Sequence, residues 1–149
     1  MLDAQEGTGP VSLLDSPAAG ELLAAARRIA IVGASSNPMR PSYGVMRNLI
    51  GWGYDVVPIN PNADEVLGRT SYPTLEEATE ATGRFDIVDV FRRPEHTPGI
   101  ARSAVATGAG ALWLQLGVVN WEAAQIASEA GLPVVMDRCT AIEYRRIGV

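Results

Sequence analysis

The chain has one cysteine, Cys139, one histidine, His96, and no lysine; all 12 basic residues are arginines. A lone cysteine excludes an internal disulfide and argues against a cysteine-built metal site. A lone histidine excludes a histidine-rich metal centre and a pair of catalytic histidines. Without lysine there is no Schiff-base chemistry on a lysine amine and no P-loop lysine. No apolar stretch reaches the roughly 18 residues of a membrane helix. The first residues lack a basic region followed by an apolar run, so no secretory signal is expected. A soluble, cytoplasmic protein is therefore the expectation. Seventeen acids outnumber the arginines and leave a net charge of −5, which argues against a broad nucleic-acid surface. Any anion site must be a local cluster of arginines.

What is present is an apolar chain of 149 residues, 47% hydrophobic and 19% charged, long enough for one domain with a real core. Residues 1–14, with Gly7, Gly9 and Pro10, read as a flexible tail, and residues 15–149 as a single domain. Ser16-Pro17 offers a helix start, with a helix over about 17–27. Arg28 to Gly33 is a continuous apolar run of the kind that forms a buried strand. A loop from Ala34 to Pro41 leads to a helix opened by Ser42-Tyr43-Gly44 and stopped by Gly51 and Gly53. Further strands follow at Asp55–Ile59, Phe85–Phe91, Ala111–Gly117 and Pro133–Met136. Between them lie a helix begun by the capping box Thr74-Leu75-Glu76-Glu77, one begun at Arg92-Arg93-Pro94, and one capped by Asn120. A last short helix starts near Thr140. Pro58 is awkward in a central strand and is expected near a strand end.

Alternating strands and helices with right-handed crossovers predict an α/β fold: a Rossmann-like, doubly wound parallel sheet of about five strands, helices on both faces, in the order 3-2-1-4-5. Ligands of such sheets bind beyond the carboxyl ends of the strands at the switch point, here expected between the first and fourth strands. That singles out residues 33–44, 60–62, 91–97, 115–120 and 137–140. Gly33-Ala34-Ser35 leaves the first strand, and Ser42-Tyr43-Gly44 enters a helix whose unpaired N–H groups suit phosphate, with Arg40 adding charge. The loop is not the G-x-G-x-x-G of dinucleotide sites. The second strand ends in Asn60-Pro61-Asn62 and lacks the acid that usually holds an adenosine ribose. Arg92-Arg93 follow the third strand; alternation predicts that one of them faces the crevice, and Glu95 can pair with either. Gln115 offers an amide and Gly117 a close approach, while Trp113 and Leu114 read as core. No catalytic set is apparent. His96 reads as a surface or ligand-contact residue and Cys139 as a buried thiol. Asp86 and Asp89 fall on opposite faces of a strand and make no acid–base pair. Together the arginine loops and helix N-termini predict an elongated, phosphorylated nucleotide ligand.

Five ordered blocks over residues 29–144 carry a family resemblance. They are Ile31-Val32-Gly33-Ala34-Ser35 with Arg40-Pro41-Ser42-Tyr43-Gly44; Pro58 to Asn62; Asp86 to Pro94; Trp113 to Asn120; and Val135 to Cys139. In these the chain resembles the small coenzyme A (CoA)-binding protein family, similar in fold to the N-terminal domain of succinyl-CoA synthetase alpha subunits. The resemblance implies that CoA or an acyl-CoA binds at the C-terminal edge of the sheet, without catalysis by this chain alone. It implies that Gly33, Ala34, Ser35, Arg40, Ser42, Tyr43 and Gly44 hold the phosphates. Asn60 and Pro61 would lie beside the adenosine, Phe91, Arg92 and Arg93 would flank the nucleotide, and Gln115 to Gly117 would face the pantetheine arm. In place of the lysine often found at CoA phosphates, Arg40, Arg69 or Arg92 must serve. The blocks include no counterpart of the synthetase domain that bears a phosphorylated histidine, so acyl-CoA synthesis by this chain alone is not expected. The alternatives are an NAD(P)-dependent oxidoreductase, a subunit of an acyl-CoA ligase completed by a partner chain, and a redox role in which Cys139 forms a mixed disulfide with the CoA thiol. Neither a partner chain nor a homodimer follows from the residues.

Overall fold

Short apolar runs bounded by glycine, proline and capping side chains set the elements of the computed structural model, which describes residues 11–147. In chain order these are α1 (Ser16–Ala25), β1 (Arg28–Val32), α2 (Pro41–Gly51), β2 (Asp55–Ile59), β3 (Glu65–Val66), β4 (Arg69–Thr70), α3 (Leu75–Thr82), β5 (Ile87–Val90), α4 (Thr97–Ala106), β6 (Leu112–Leu114), α5 (Trp121–Glu129), β7 (Val134–Met136) and α6 (Thr140–Arg146). A 3₁₀ turn, Pro94–His96, precedes α4.

The parallel sheet runs β2-β1-β5-β6-β7. The α/β, doubly wound class expected from the sequence is therefore present. The strand order is corrected: the third strand of the sheet, β5, pairs with β1 (Ile29↔Ile87 through Val32↔Val90) rather than lying outside β2. Counted along the chain, the order is 2-1-3-4-5. Pro58 supplies the reason. Alternate residues of β2 face β1: the Asp55 N–H donates to Arg27 O and Ile59 O accepts from the Gly33 N–H. Pro58 faces the other way, where its carbonyl accepts from Tyr72 and its nitrogen has no proton to give. A strand outside β2 would lose a ladder bond there, so β2 is the edge. The switch point accordingly lies between β1 and β5, not between the first and fourth strands.

Side chains alternate across the sheet. Ala30, Val32, Val57, Val88, Val90, Leu112, Leu114 and Val134 face α3, α4 and α5, whose buried residues include Leu75, Ala78, Ala101, Ala104, Ala123 and Ala127. Ile29, Ile31, Val56, Ile87, Trp113 and Val135 face α1 and α2 through Leu23, Met46 and Leu49. Alanine lines the contact of α4 with α5 and lets these helices approach closely.

Several local details depart from the sequence expectation. Residues 1–10 of the expected tail lie outside the described residues, but residues 11–14 are packed: Val11 and Leu13 are buried, and the Leu14 N–H donates to Val134 O along the outer edge of β7. Asp15, not Ser16, caps α1, accepting from the Ala18 N–H. The hairpin β3–β4 has no herald in the sequence, because its turn places Leu67 and Gly68 at φ of 51° and 75°. Such primed turns favour Asn-Gly, and leucine does not announce one. The helix expected from Arg92 is divided instead. Pro98 cannot donate to Pro94 O, which accepts from Thr97 Oγ1 (2.7 Å) and Asn120 Nδ2 (2.9 Å).

Candidate functional site

The loops leaving β1, β2, β5, β6 and β7 enclose a cleft of about 870 Å³ at the carboxyl ends of the strands. This is within the usual range for a small-molecule site. Gly33, Ala34, Ser35, Arg40 and Ser42 line it from the first loop, Asn60 and Pro61 from the second, Phe91, Arg92 and Arg93 from the third, and Gln115 from the fourth. Tyr43, Gly44 and Gly117, expected at the site, do not line it, and neither does Arg69.

Gly33 is where the chain must turn and where β5 comes closest. Its φ is 87°, and a Cβ there would stand 2.9 Å from Phe91 O and 3.0 Å from Arg92 Cδ. Only glycine fits both demands. The loop beyond it holds its own shape. Ser35 Oγ accepts from the Asn37 N–H (3.1 Å), and Asn37 Oδ1 accepts from the Met39 N–H (3.0 Å). Asn60 clamps the second loop to the first: its Nδ2 donates to Ala34 O (2.7 Å), and its Oδ1 accepts from the Asn62 N–H (2.8 Å). Asn60 therefore spends its side chain on the cleft wall. Helix α2 starts at Pro41 with Arg40 as its N-cap, and no side chain of the described residues caps it. Pro41 has no N–H and the Tyr43 N–H donates to Arg40 O, so it is Ser42 and the positive dipole end of the helix that border the cleft.

Both Arg92 and Arg93 line the cleft, where alternation predicted one. The strand ends at Val90, and Arg93 already caps the 3₁₀ turn (φ −59°, ψ 148°), so strict alternation has stopped. Among the described residues no carboxylate makes an ion pair with Arg40, Arg92 or Arg93, and Glu95 does not line the cleft. Of the lining residues three are arginine and one is His96, and none is aspartate or glutamate, in a chain of net charge −5. A smaller hollow of about 280 Å³ adjoins the cleft beyond Arg92 and His96, against the start of α3.

Beneath Gln115 lies a polar network that the sequence reading missed. Asp89, fully buried in β5, accepts from Gln115 Nε2 (2.6 Å) and Thr140 Oγ1 (3.0 Å), and Gln115 Nε2 also donates to Thr140 Oγ1 (2.9 Å). Burial pushes the Asp89 carboxyl up to about 7, against the downward pull of those two donors. An acid inside the apolar run Ile87–Val90 was the available signal; its partners, far off in sequence, were not. Asp86 lies at the other end of the sheet, accepting from the Arg27 and Arg28 N–H groups, so the two aspartates form no pair. Cys139 is half-buried and lines the cleft, as do Val118, within the segment 115–120 singled out from the sequence, and Ile142, which lies beyond those segments. Among the described residues no group of three or more His, Cys, Asp or Glu side chains could hold a metal ion. No helix among them is long and apolar enough to cross a membrane.

Comparison with known proteins bears on the fold and the family. The chain is 41% identical over 124 residues to the uncharacterized protein YneT of Bacillus subtilis (strain 168), covering 83% of this chain and 90% of that protein. It is similar to the crystal structure of a hypothetical protein from Pyrococcus horikoshii OT3, with a TM-score of 0.84, 38% identity and coverage of 89% and 92% of the two chains. It also matches part of the dinucleotide-forming acetyl-coenzyme A synthetase 1 of Ca. Korarchaeum cryptofilum, solved with phosphate and ADP. There the TM-score is 0.63 and the identity 26%, over 72% of this chain and 25% of that one. The family model described as CoA binding domain matches residues 27–145, and the chain belongs to that family.

Proposed function

We propose that the cleft binds CoA or a CoA thioester, with the chain acting as a binding module that performs no chemistry by itself. The observation that carries this is the composition of the wall: three arginines without carboxylate partners among the described residues, beside an uncapped helix start, in an acidic protein. CoA carries about four negative charges at neutral pH, and guanidinium forks and helix N-termini are what such phosphates select. Length fits as well. From β2 to β7 the cleft crosses four inter-strand gaps, about 19 Å at roughly 4.8 Å each.

In this reading the diphosphate lies between Arg40 and the start of α2, with Gly33, Ala34, Ser35 and Ser42 about it. The adenosine end lies toward Pro61, where the ribose meets no acid that would repel a neighbouring phosphate. Arg92 and Arg93 flank the nucleotide, and the pantetheine arm runs over Gln115. Nε2 of Gln115 is committed to Asp89 and Thr140, which leaves Oε1 to accept from an amide N–H of the arm. The match to one quarter of an acetyl-coenzyme A synthetase favours a second reading, in which a partner chain completes a ligase. Co-purification of a stoichiometric partner that confers ligase activity supports it; a chain isolated alone and inactive with every acid tried does not.

Isothermal titration of the purified protein with CoA, dephospho-CoA and NAD tests the first reading. The expected order is CoA tightest, dephospho-CoA weaker for want of one phosphate, and NAD weakest. NAD binding as tightly as CoA contradicts it.

A further inference from the structure

The two halves of the cleft differ in chemistry. The loops after β1 and β5 contribute Arg40, Arg92 and Arg93; the loops after β6 and β7 and the start of α6 contribute Leu116, Val118, Cys139 and Ile142 and no charged side chain. Among the described residues three large hydrophobic side chains are exposed: Met39 (87%), Leu116 (57%) and Ile142 (41%). Single exposed apolar side chains are ordinary surface, but these three all belong to segments that border the cleft, and Leu116 and Ile142 line it.

The two at the β6–β7 end stand on fixed supports. The turn that carries Leu116 is held by the Gly117 N–H donating to Asp137 Oδ1 (2.7 Å) and by the Val118 N–H donating to Gln115 O (2.8 Å). Ile142 rides on α6, which is anchored to α1 by the buried Glu143, whose carboxylate accepts from Ser16 Oγ. Arg138, next to Cys139 in the chain, does not line the cleft, and its guanidinium lies 3.8 Å from Glu143. An apolar rim held open at one end of an arginine-lined cleft matches a ligand with phosphates at one end and hydrocarbon at the other.

We propose that the β6–β7 end of the cleft is an acyl subsite formed by Leu116, Val118 and Ile142, and that its ligand is a CoA thioester with an uncharged, apolar acyl group. This rests on the reading of the cleft as a CoA site and adds what lies beyond the thiol. A carboxylated acyl group would meet no cation there, and free CoA would leave the rim in water.

The test is a set of calorimetric titrations at one ionic strength with CoA, acetyl-CoA, butyryl-CoA and succinyl-CoA. Each buried methylene tightens binding by about fourfold, so butyryl-CoA, with two more methylenes, is expected roughly fifteenfold tighter than acetyl-CoA. Succinyl-CoA is expected no tighter than CoA. CoA binding with all three thioesters within twofold of it overturns the acyl subsite and leaves the CoA reading standing; no binding by any of the four overturns both. In Leu116→Ser and Ile142→Ser, with the fold checked by circular dichroism, the ratio of butyryl-CoA to acetyl-CoA affinity is expected to fall to threefold or less. An unchanged ratio overturns the assignment. Light scattering adds an independent arm: a dimer that Leu116→Ser dissociates assigns the rim to a second copy of the chain and overturns the proposal.

Discussion

Gly33 and Asp89 show how far single residues can be read. Gly33 stood out in the sequence as the residue after a buried strand. That a Cβ there would stand 2.9 Å from Phe91 O depends on β5 lying beside β1, a long-range fact. Gly33→Ala forces a side chain into positive φ and against that carbonyl, at an expected cost of about 1–3 kcal/mol by urea unfolding. Asp89 makes a second prediction. Its carboxyl is pushed up to about 7 by burial, against an unfolded value near 3.9. The folded chain therefore keeps a proton that the unfolded chain has released between about pH 4 and pH 7. The stability from this group is complete below that interval and is lost as pH rises through it. Unfolding free energy of the wild type is expected to fall between pH 4.5 and 7.5 relative to Asp89→Asn, whose side chain does not titrate. Parallel curves for the two proteins contradict this. Arg92 and Arg93 show a different limit: period-two reasoning holds within a strand and fails at its end, and both line the cleft beyond Val90, where the chain has left the sheet ladder.

At the scale of elements, capping and breaking residues were the most legible features. The Thr74 cap accepts from the Glu77 N–H and the Asn120 cap from the Ala123 N–H, as the local sequence predicts. Strand order was less legible, because it depends on which apolar run pairs with which, and five short runs of similar composition do not encode that locally. Pro58 was the exception, since a residue without an N–H is best placed where its nitrogen faces no strand. Asn120 joins two elements: it caps α5 and donates to Pro94 O (2.9 Å), steadying the turn that carries Arg92 and Arg93. Asn120→Ala is expected to cost about 1–2 kcal/mol in thermal or urea unfolding. It should also weaken CoA binding, while Asn120→Asp, which keeps the cap but loses the donor, should recover part of the stability and little of the affinity. Equal recovery of both would mean that the turn does not depend on this bond.

For the whole molecule the governing contrast is between net and local charge. A chain at −5 repels a polyanion at long range, while the arginines of the cleft attract it at contact. Salt screens both, over about 8–10 Å at physiological strength. Contact charges set the affinity, so CoA binding is expected to weaken steadily from 0.05 to 0.5 M NaCl by calorimetry. Affinity that rises with salt would mean that repulsion by the whole molecule dominates. That a cleft lies at the carboxyl ends of the strands was legible from the alternation of strands and helices alone, and Gly33 to Ser35, Arg40, Ser42, Pro61 and Gln115 all line it. Ile142 was not legible, because it reaches the cleft from α6, beyond the segments that follow the strands. The most direct measurement is a crystal structure of the protein grown with CoA. The expected result is one molecule lying across the strand ends, its diphosphate between Arg40 and the start of α2 and its thiol toward Leu116. A cleft closed by its own side chains, or CoA seated elsewhere on the surface, would contradict it.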